Sequence, residues 1–204
     1  GISKLMSKEV LNELKEKLKG CKGCPLCSTR TNLVFSDGNP EANIMLIGEA
    51  PGADEDRLGV PFVGRAGKLL DEFFKKAGID RQKDIYICNT LKCRPPNNRK
   101  PEPDEKKACA PYLKFQIDTI KPKIIILCGA TALESFIKGH TITRARGKIF
   151  KGSKGTVFIP IFHPSYLLRN HSLEEGSPRD LMLKDLKMIK QLSAQDVILH
   201  NSEA

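Results

Sequence analysis

Three polar residues stand at the ends of apolar runs in this chain. Glu49 follows NIMLIG (43–48), Asn89 closes DIYICN (84–89), and His163 follows TVFIPIF (156–162). A carboxylate, an amide and an imidazole are groups that proton transfer and charge stabilisation draw on. Glu49 lies in the segment GEAPGADEDRLGVPFVG, which carries the acidic run Asp54, Glu55 and Asp56. This segment lacks both the Lys-Ser/Thr pair of a P-loop and the glycine spacing of a dinucleotide fingerprint, so it is a poor phosphate cradle and no nucleotide cofactor is expected. An acidic loop suits a group that becomes cationic, such as an oxocarbenium-like sugar, or a water that must lose a proton. Glycosyl transfer is the chemistry this pattern favours.

The cysteines form a second constellation. Cys21-x2-Cys24 precedes the first apolar run, while Cys93 and Cys109 stand fifteen intervening residues apart around the proline-rich stretch KCRPPNNRKPEPD (92–104). Four thiolates from two distant segments hold either zinc or a [4Fe-4S] cluster, and spacing alone does not choose between them. Cys27 complicates the pattern, because CKGCPLC also reads as the start of a ferredoxin run. Cys88 and Cys128 lie inside apolar runs and are expected to behave as small hydrophobes of the core. The N-terminal stretch alternates charged with apolar residues and has no apolar core of a secretory signal, so a cytoplasmic protein is expected. Seven cysteines in such a chain favour metal or redox chemistry over disulfides.

The elements that must position these residues follow from periodicity. The four β-branched-rich runs, NIMLIG, DIYICN, KIIILCG (123–129) and TVFIPIF, read as strands. Between them GRAGKLLDEFFKKAG (64–78), PDEKKACAPYLKFQIDTIK (103–121) and ATALESFIKG (130–139) have helical spacing. The alternation predicts a doubly wound, three-layer α/β/α fold with a central, mainly parallel four-stranded sheet. Ligands of such sheets bind outside the carboxyl ends of the strands, the rim where Glu49, Asn89 and His163 fall. Further helices are expected over 7–20 and 177–192. The 204 residues suit one domain: an N-terminal helix and CxxC half-site at 7–30, a core at 31–192 and a frayed tail at 193–204. A monomer is expected. The net charge of +10 points to a polyanion, nucleic acid first. No window has the roughly 18 consecutive apolar residues of a membrane span.

Four motifs in order, GEAPG, GVPFVGRAGKLLD, NTLKCRPPNNRKP and HPSYLLR, resemble the four-iron, family 4 uracil-DNA glycosylases of bacteria and archaea. The resemblance runs from about Cys21 to Leu192. It implies an enzyme that takes uracil out of single- or double-stranded DNA, hydrolyses the N-glycosidic bond and leaves an abasic site. Phe62 would stack on the extruded base. Asn89 would accept from uracil N3-H and donate to O4, a pattern cytosine reverses. His163 would donate to O2, where charge collects as the bond breaks. Ala50 would contribute its main chain only, and Ala stands here where better-known uracil glycosylases carry Asp. Glu49 and Glu55 are then the candidate catalytic carboxylates; the resemblance places Glu55 near uracil C5, where it would exclude the methyl of thymine, and leaves Glu49 to orient water and stabilise the sugar cation.

The resemblance also selects a [4Fe-4S] cluster on Cys21, Cys24, Cys93 and Cys109, without Cys27. The cluster would tie the N-terminal segment to the loop that carries Arg94, Asn98 and Arg99 towards DNA. Leu167, Leu168 and Arg169 would enter DNA beside the extruded nucleotide, although by type the two leucines equally suit a helix facing the core. The motifs hold no lysine suited to a Schiff base, and TLKCRPPNNRKPEP holds no histidine for covalent capture of the sugar. Two other classes retain the charge or the cysteines: a non-catalytic iron-sulfur DNA-binding module and an iron-sulfur electron carrier.

Overall fold

The computed structural model of the chain describes residues 4–195. Four five-residue strands, β2 (Ile44–Gly48), β3 (Ile85–Asn89), β4 (Ile124–Cys128) and β6 (Val157–Ile161), pair in parallel as β3-β2-β4-β6. They match the four expected runs. Two-residue strands β1 (Asp37–Gly38) and β5 (Phe150–Lys151) add antiparallel edges on β3 and β6, giving a six-stranded sheet among the described residues. Neither edge was foreseen, because two residues carry no periodicity.

Every residue of β2, β3 and β4 is buried, so the period of two decides only which helical layer each side chain meets. Ile44, Leu46, Ile85, Ile87, Ile124 and Ile126 share one core with α3 (Arg65–Ala77) and α8 (Pro178–Ser193). Met45, Ile47, Tyr86, Cys88, Ile125 and Leu127 share the other with α1 (Lys4–Leu18), α4 (Pro103–Ile120) and α5 (Ala130–Phe136). Cys88 and Cys128 are core residues, one on each face.

Helix α3 follows its sequence pattern: Leu69, Leu70, Phe73, Phe74 and Ala77 make one buried stripe, and Gly78 ends the helix in the left-handed conformation (φ 76°). Helix α8 starts at Ser177, whose hydroxyl accepts from the Asp180 N–H, with Pro178 in the first turn. It ends at Ser193, and of the tail expected at 193–204, residues 196–204 lie outside the described residues. Three short helices lie in segments first read as loops or left unassigned: α2 (Ala53–Leu58), α6 (Ile142–Ala145) and α7 (Pro164–Leu167). The chain leaves β2 towards β3 and later returns past β2 to β4, so the sheet switches direction at β2. The crevice at the carboxyl ends of β3, β2 and β4 is where a ligand site is expected. Among the described residues no helix is long and apolar enough to cross a membrane.

Candidate active site

A cleft of about 520 Å³ opens at that switch point, within the range of ligand pockets, and Glu49, Ala50, Glu55, Phe62, Asn89 and His163 all line it. Asn89 ends β3 beside Gly48, the last residue of β2. Its side chain is packed so tightly that a Cβ on Gly48 would lie 2.5 Å from Asn89 Oδ1 and 2.6 Å from Phe62 Cζ. Only glycine at 48 lets the amide and the ring meet. Asn89 is 2% exposed, and its Oδ1 is buried with no hydrogen-bond partner among the described residues. A buried carbonyl oxygen without a donor is rare and costly. It marks a place where a donor arrives from outside.

His163 caps α7. The Ser165 N–H donates to its Nδ1 (3.1 Å), and the Ser165 hydroxyl lies 2.7 Å from the same atom. An accepting Nδ1 carries no proton, so the neutral ring holds its hydrogen on Nε2. Burial keeps the ring neutral, bringing its pKa down to about 4 against a smaller upward pull from Glu55. The ring lies 6.0 Å, centre to centre, from Phe62. Phe62 itself has φ 52°, a left-handed conformation that costs a residue with a side chain about 1–2 kcal/mol.

The acidic run divides its labour differently from expectation. Glu55 was read as a catalytic carboxylate, yet its Oε2 accepts from the N–H groups of Val63 (2.9 Å) and Gly64 (2.7 Å) and its Oε1 from Gly52 (3.1 Å). Three backbone donors occupy both of its oxygens, so it joins the two loops that wall the cleft. Asp56 turns inward and accepts from Thr31 and Asn32 (2.8 and 3.2 Å), while Asp54 pairs with Arg57 at the surface. The carboxylate of Glu49 is half-buried, lines the cleft and has no hydrogen-bond or ion-pair partner among the described residues. Of the four carboxylates in this segment it alone combines that position with that freedom.

The sequence profile of the Uracil DNA glycosylase superfamily matches residues 35–187, three quarters of the chain, and spans this whole cleft. The chain belongs to the uracil-DNA glycosylase superfamily. Among its relatives, the type-4 uracil-DNA glycosylase of Thermotoga maritima is 47% identical over 184 residues, 89% of this chain and 94% of the relative. The type-4 uracil-DNA glycosylase of Sulfurisphaera tokodaii is 42% identical over 90% of this chain and 84% of the relative. The type-5 uracil-DNA glycosylase of Thermus thermophilus is 32% identical over 76% and 78%.

In this member of the superfamily, Cys21, Cys24, Cys93 and Cys109 converge on one cavity between the chain before β1 and the start of α4. Cys27 is not among its lining residues. Burial pushes the Cys93 thiol up to about 11, opposed by a hydrogen bond from Arg30 Nη1 at 3.2 Å, and raises Cys109 as well. Leu26 and Leu91 seal this cluster with Ala50 against it, so the cysteine site shares a wall with the cleft.

The residues expected to face DNA take different places in the fold. Leu167 is fully buried in the core formed by α3 and α8, and Leu168 is half-buried against it. The wedge role read for Leu167 is therefore corrected: α7 turns that leucine inward, and Arg179 holds the segment by donating to the Leu167 and Asn170 carbonyls (2.8 Å each). Tyr166, at 47% exposed, and Arg169 face outward instead. Arg99 lines the cleft mouth, but its guanidinium grips both oxygens of the buried Glu105 (2.7 and 2.8 Å), so its first task is to anchor the loop to α4. Arg94 donates to Asn98 (2.8 Å) across the same loop.

The sequence reading missed Arg81. It donates to the carbonyls of Pro61 (2.6 Å) and Phe62 (2.8 Å) and to the carboxylates of Asp37 (3.0 Å) and Asp71 (2.8 Å). No local pattern marks it, because its partners lie 10 to 44 residues away.

Proposed function

We infer that this chain removes uracil from DNA by hydrolysing the bond between the base and its deoxyribose, leaving an abasic site. The observation that carries the reading is the buried, unpartnered Oδ1 of Asn89 on the wall of a cleft shared with Phe62 and a neutral His163. A base turned out of the stack would lie against Phe62, with its N3-H meeting Oδ1 and its O4 meeting the Asn89 amide. Cytosine offers an acceptor at N3 and a donor at its exocyclic nitrogen, and fits neither.

When the glycosidic bond breaks, its electron pair leaves with the base, and negative charge collects on O2. The Nε2–H of His163 donates there, and because the ring is neutral it stabilises the anion without surrendering a full proton. The N–H of Ala50, unpartnered among the described residues, is placed to add a second donor. The sugar left behind is cationic, and Glu49 stabilises it and orients the water that attacks its C1′. That water loses one proton to solvent as it attacks, and the departing uracil anion gains one from solvent. In this reading Glu55 excludes the methyl of thymine, and its three backbone contacts keep the wall it belongs to rigid.

The four cavity cysteines suit a [4Fe-4S] cluster. Four thiols from two distant segments line one cavity, a donor set that either zinc or a [4Fe-4S] cluster takes, and the likeness of the surrounding motifs to the four-iron glycosylases favours the cluster. Cys21 and Cys24 of the N-terminal segment, Cys93 of the 92–102 loop and Cys109 of α4 would hold the cluster, which when bound would cross-link these three segments. Hydrolysis transfers no electrons, so its part in this reaction is structural. The protein is proposed to act alone, as a cytoplasmic monomer, on DNA.

The test is release of free uracil from an oligonucleotide carrying one deoxyuridine, with thymine and cytosine oligonucleotides as controls, beside Asn89→Ala and His163→Ala. Release by the wild type and loss in both variants is expected. Binding without release would instead mark a non-catalytic module.

A further inference from the structure

We propose that Arg81 is a positioning residue for base recognition, acting through the backbone that carries Phe62. The inference rests on the glycosylase reading above. Arg81 does not line the cleft, and its side chain is only 14% exposed. Two carboxylates flank the guanidinium, Asp37 accepting from Nε and Asp71 from Nη1, and they fix its plane and offset its charge. The two terminal nitrogens donate to two successive carbonyls, Nη2 to Pro61 and Nη1 to Phe62. In extended chain, successive carbonyls point to opposite sides. Here both meet one planar fork, an arrangement matched to the left-handed turn at Phe62.

The same residue is confined from below. A Cβ on Gly67 would lie 2.1 Å from the Phe62 carbonyl carbon, so the first turn of α3 presses directly against that peptide. The ring end meets Gly48 and Asn89. Phe62 therefore has its backbone clamped between Arg81 and Gly67 while its ring is aimed at the position of the base. Without the fork, the backbone is free to relax towards negative φ, which carries the ring away from Asn89 and His163. Lysine cannot replace this grip, because a single ammonium does not present parallel donors to two carbonyls and two carboxylates.

A double-mutant cycle in steady-state uracil release tests this. Arg81→Lys is expected to raise KM about 10-fold while leaving kcat within about twofold, because stacking is gained equally by bound substrate and transition state. In a Phe62→Ala background, where no ring remains to be aimed, Arg81→Lys is expected to change KM by less than about twofold. Its effect on melting temperature should be the same in both backgrounds, which separates positioning from general stability. Should Arg81→Lys not yield folded protein, Asp71→Asn removes one anchor at a partly exposed site and is carried through the same cycle. An equal KM rise in both backgrounds, or a fall in kcat at constant KM, would overturn the inference while leaving the glycosylase reading intact. A wild type that releases no uracil would overturn that reading and the inference with it.

Discussion

Asn89→Leu separates recognition from stability, because the two amino acids have nearly the same shape and differ in polarity. No hydrogen bond is made by the Asn89 side chain among the described residues, so the substitution sacrifices none within the protein. It removes a buried acceptor whose unmet desolvation costs about 1–3 kcal/mol. Taking about 2 kcal/mol, and about 2–4 °C per kcal/mol for a chain of this size, thermal unfolding should move up by roughly 4–8 °C. Uracil release should fall in the opposite direction. The polar edge of the base would then face two methyl groups, and sites that read a substrate by buried hydrogen bonds reject mismatches by about 10⁴-fold or more in kcat/KM. Circular dichroism melting and single-turnover release on one protein preparation read both effects. A variant that melts lower than wild type would mean that Oδ1 has a partner in the free protein. One that keeps its activity would remove Asn89 from base recognition.

Glu49→Gln keeps the shape of the side chain and removes its charge; turnover should drop by about 10²–10⁴-fold with affinity for uracil-containing DNA nearly unchanged, and an unaltered rate would exclude Glu49 from the reaction. For His163 the folded pKa of about 4 lies below the ordinary 6.5, so the unfolded chain binds a proton between these values that the folded protein does not. Stability from this residue is complete above pH 6.5 and declines as pH falls towards 4, by at most about 3 kcal/mol and by less where water in the cleft reaches the ring. Denaturant titrations at pH 7 and pH 4.5 should show that loss in wild type and not in His163→Ala, and the imidazole proton resonances should stay flat from pH 8 to pH 5. Cys93→Ala should lower bound iron and visible absorbance, and weaken DNA binding through the 92–102 loop. Full iron content with activity abolished would refute a structural role for the cluster.

The sheet was legible because five-residue apolar runs bounded by turn formers leave few alternatives, and the long helices because a stripe such as Leu69, Leu70, Phe73, Phe74 and Ala77 has a single solution. The rim residues followed from topology alone once the sheet was parallel. Hydrogen-bond destinations were not legible. Glu55 and Glu49 are the same amino acid six residues apart, and only the fold shows that one is saturated by backbone N–H groups while the other is open. Leu167 and Leu168 fit a wedge or a core equally well, and α7, four residues long, is too short for periodicity to decide. Arg81 was invisible because its role depends on carbonyls that no side-chain pattern encodes.

The cleft thus sorts its polar groups by a physical rule. Residues that build it have used up their bonding capacity inside the protein: Arg81 on two carbonyls and two carboxylates, Glu55 on three N–H groups, Arg99 on both oxygens of Glu105. Residues proposed to read substrate are held on one side and open on the other. His163 is fixed at Nδ1 and free at Nε2, and Asn89 is packed by Gly48 and Phe62 with its oxygen unmet. An open buried acceptor and a left-handed Phe62 both cost folding free energy. A chain selected for stability alone would close the first and relax the second, as Asn89→Leu is expected to show. Their persistence side by side, on the rim where three parallel strands end, is explained by a ligand that supplies a donor to one and a flat face to the other.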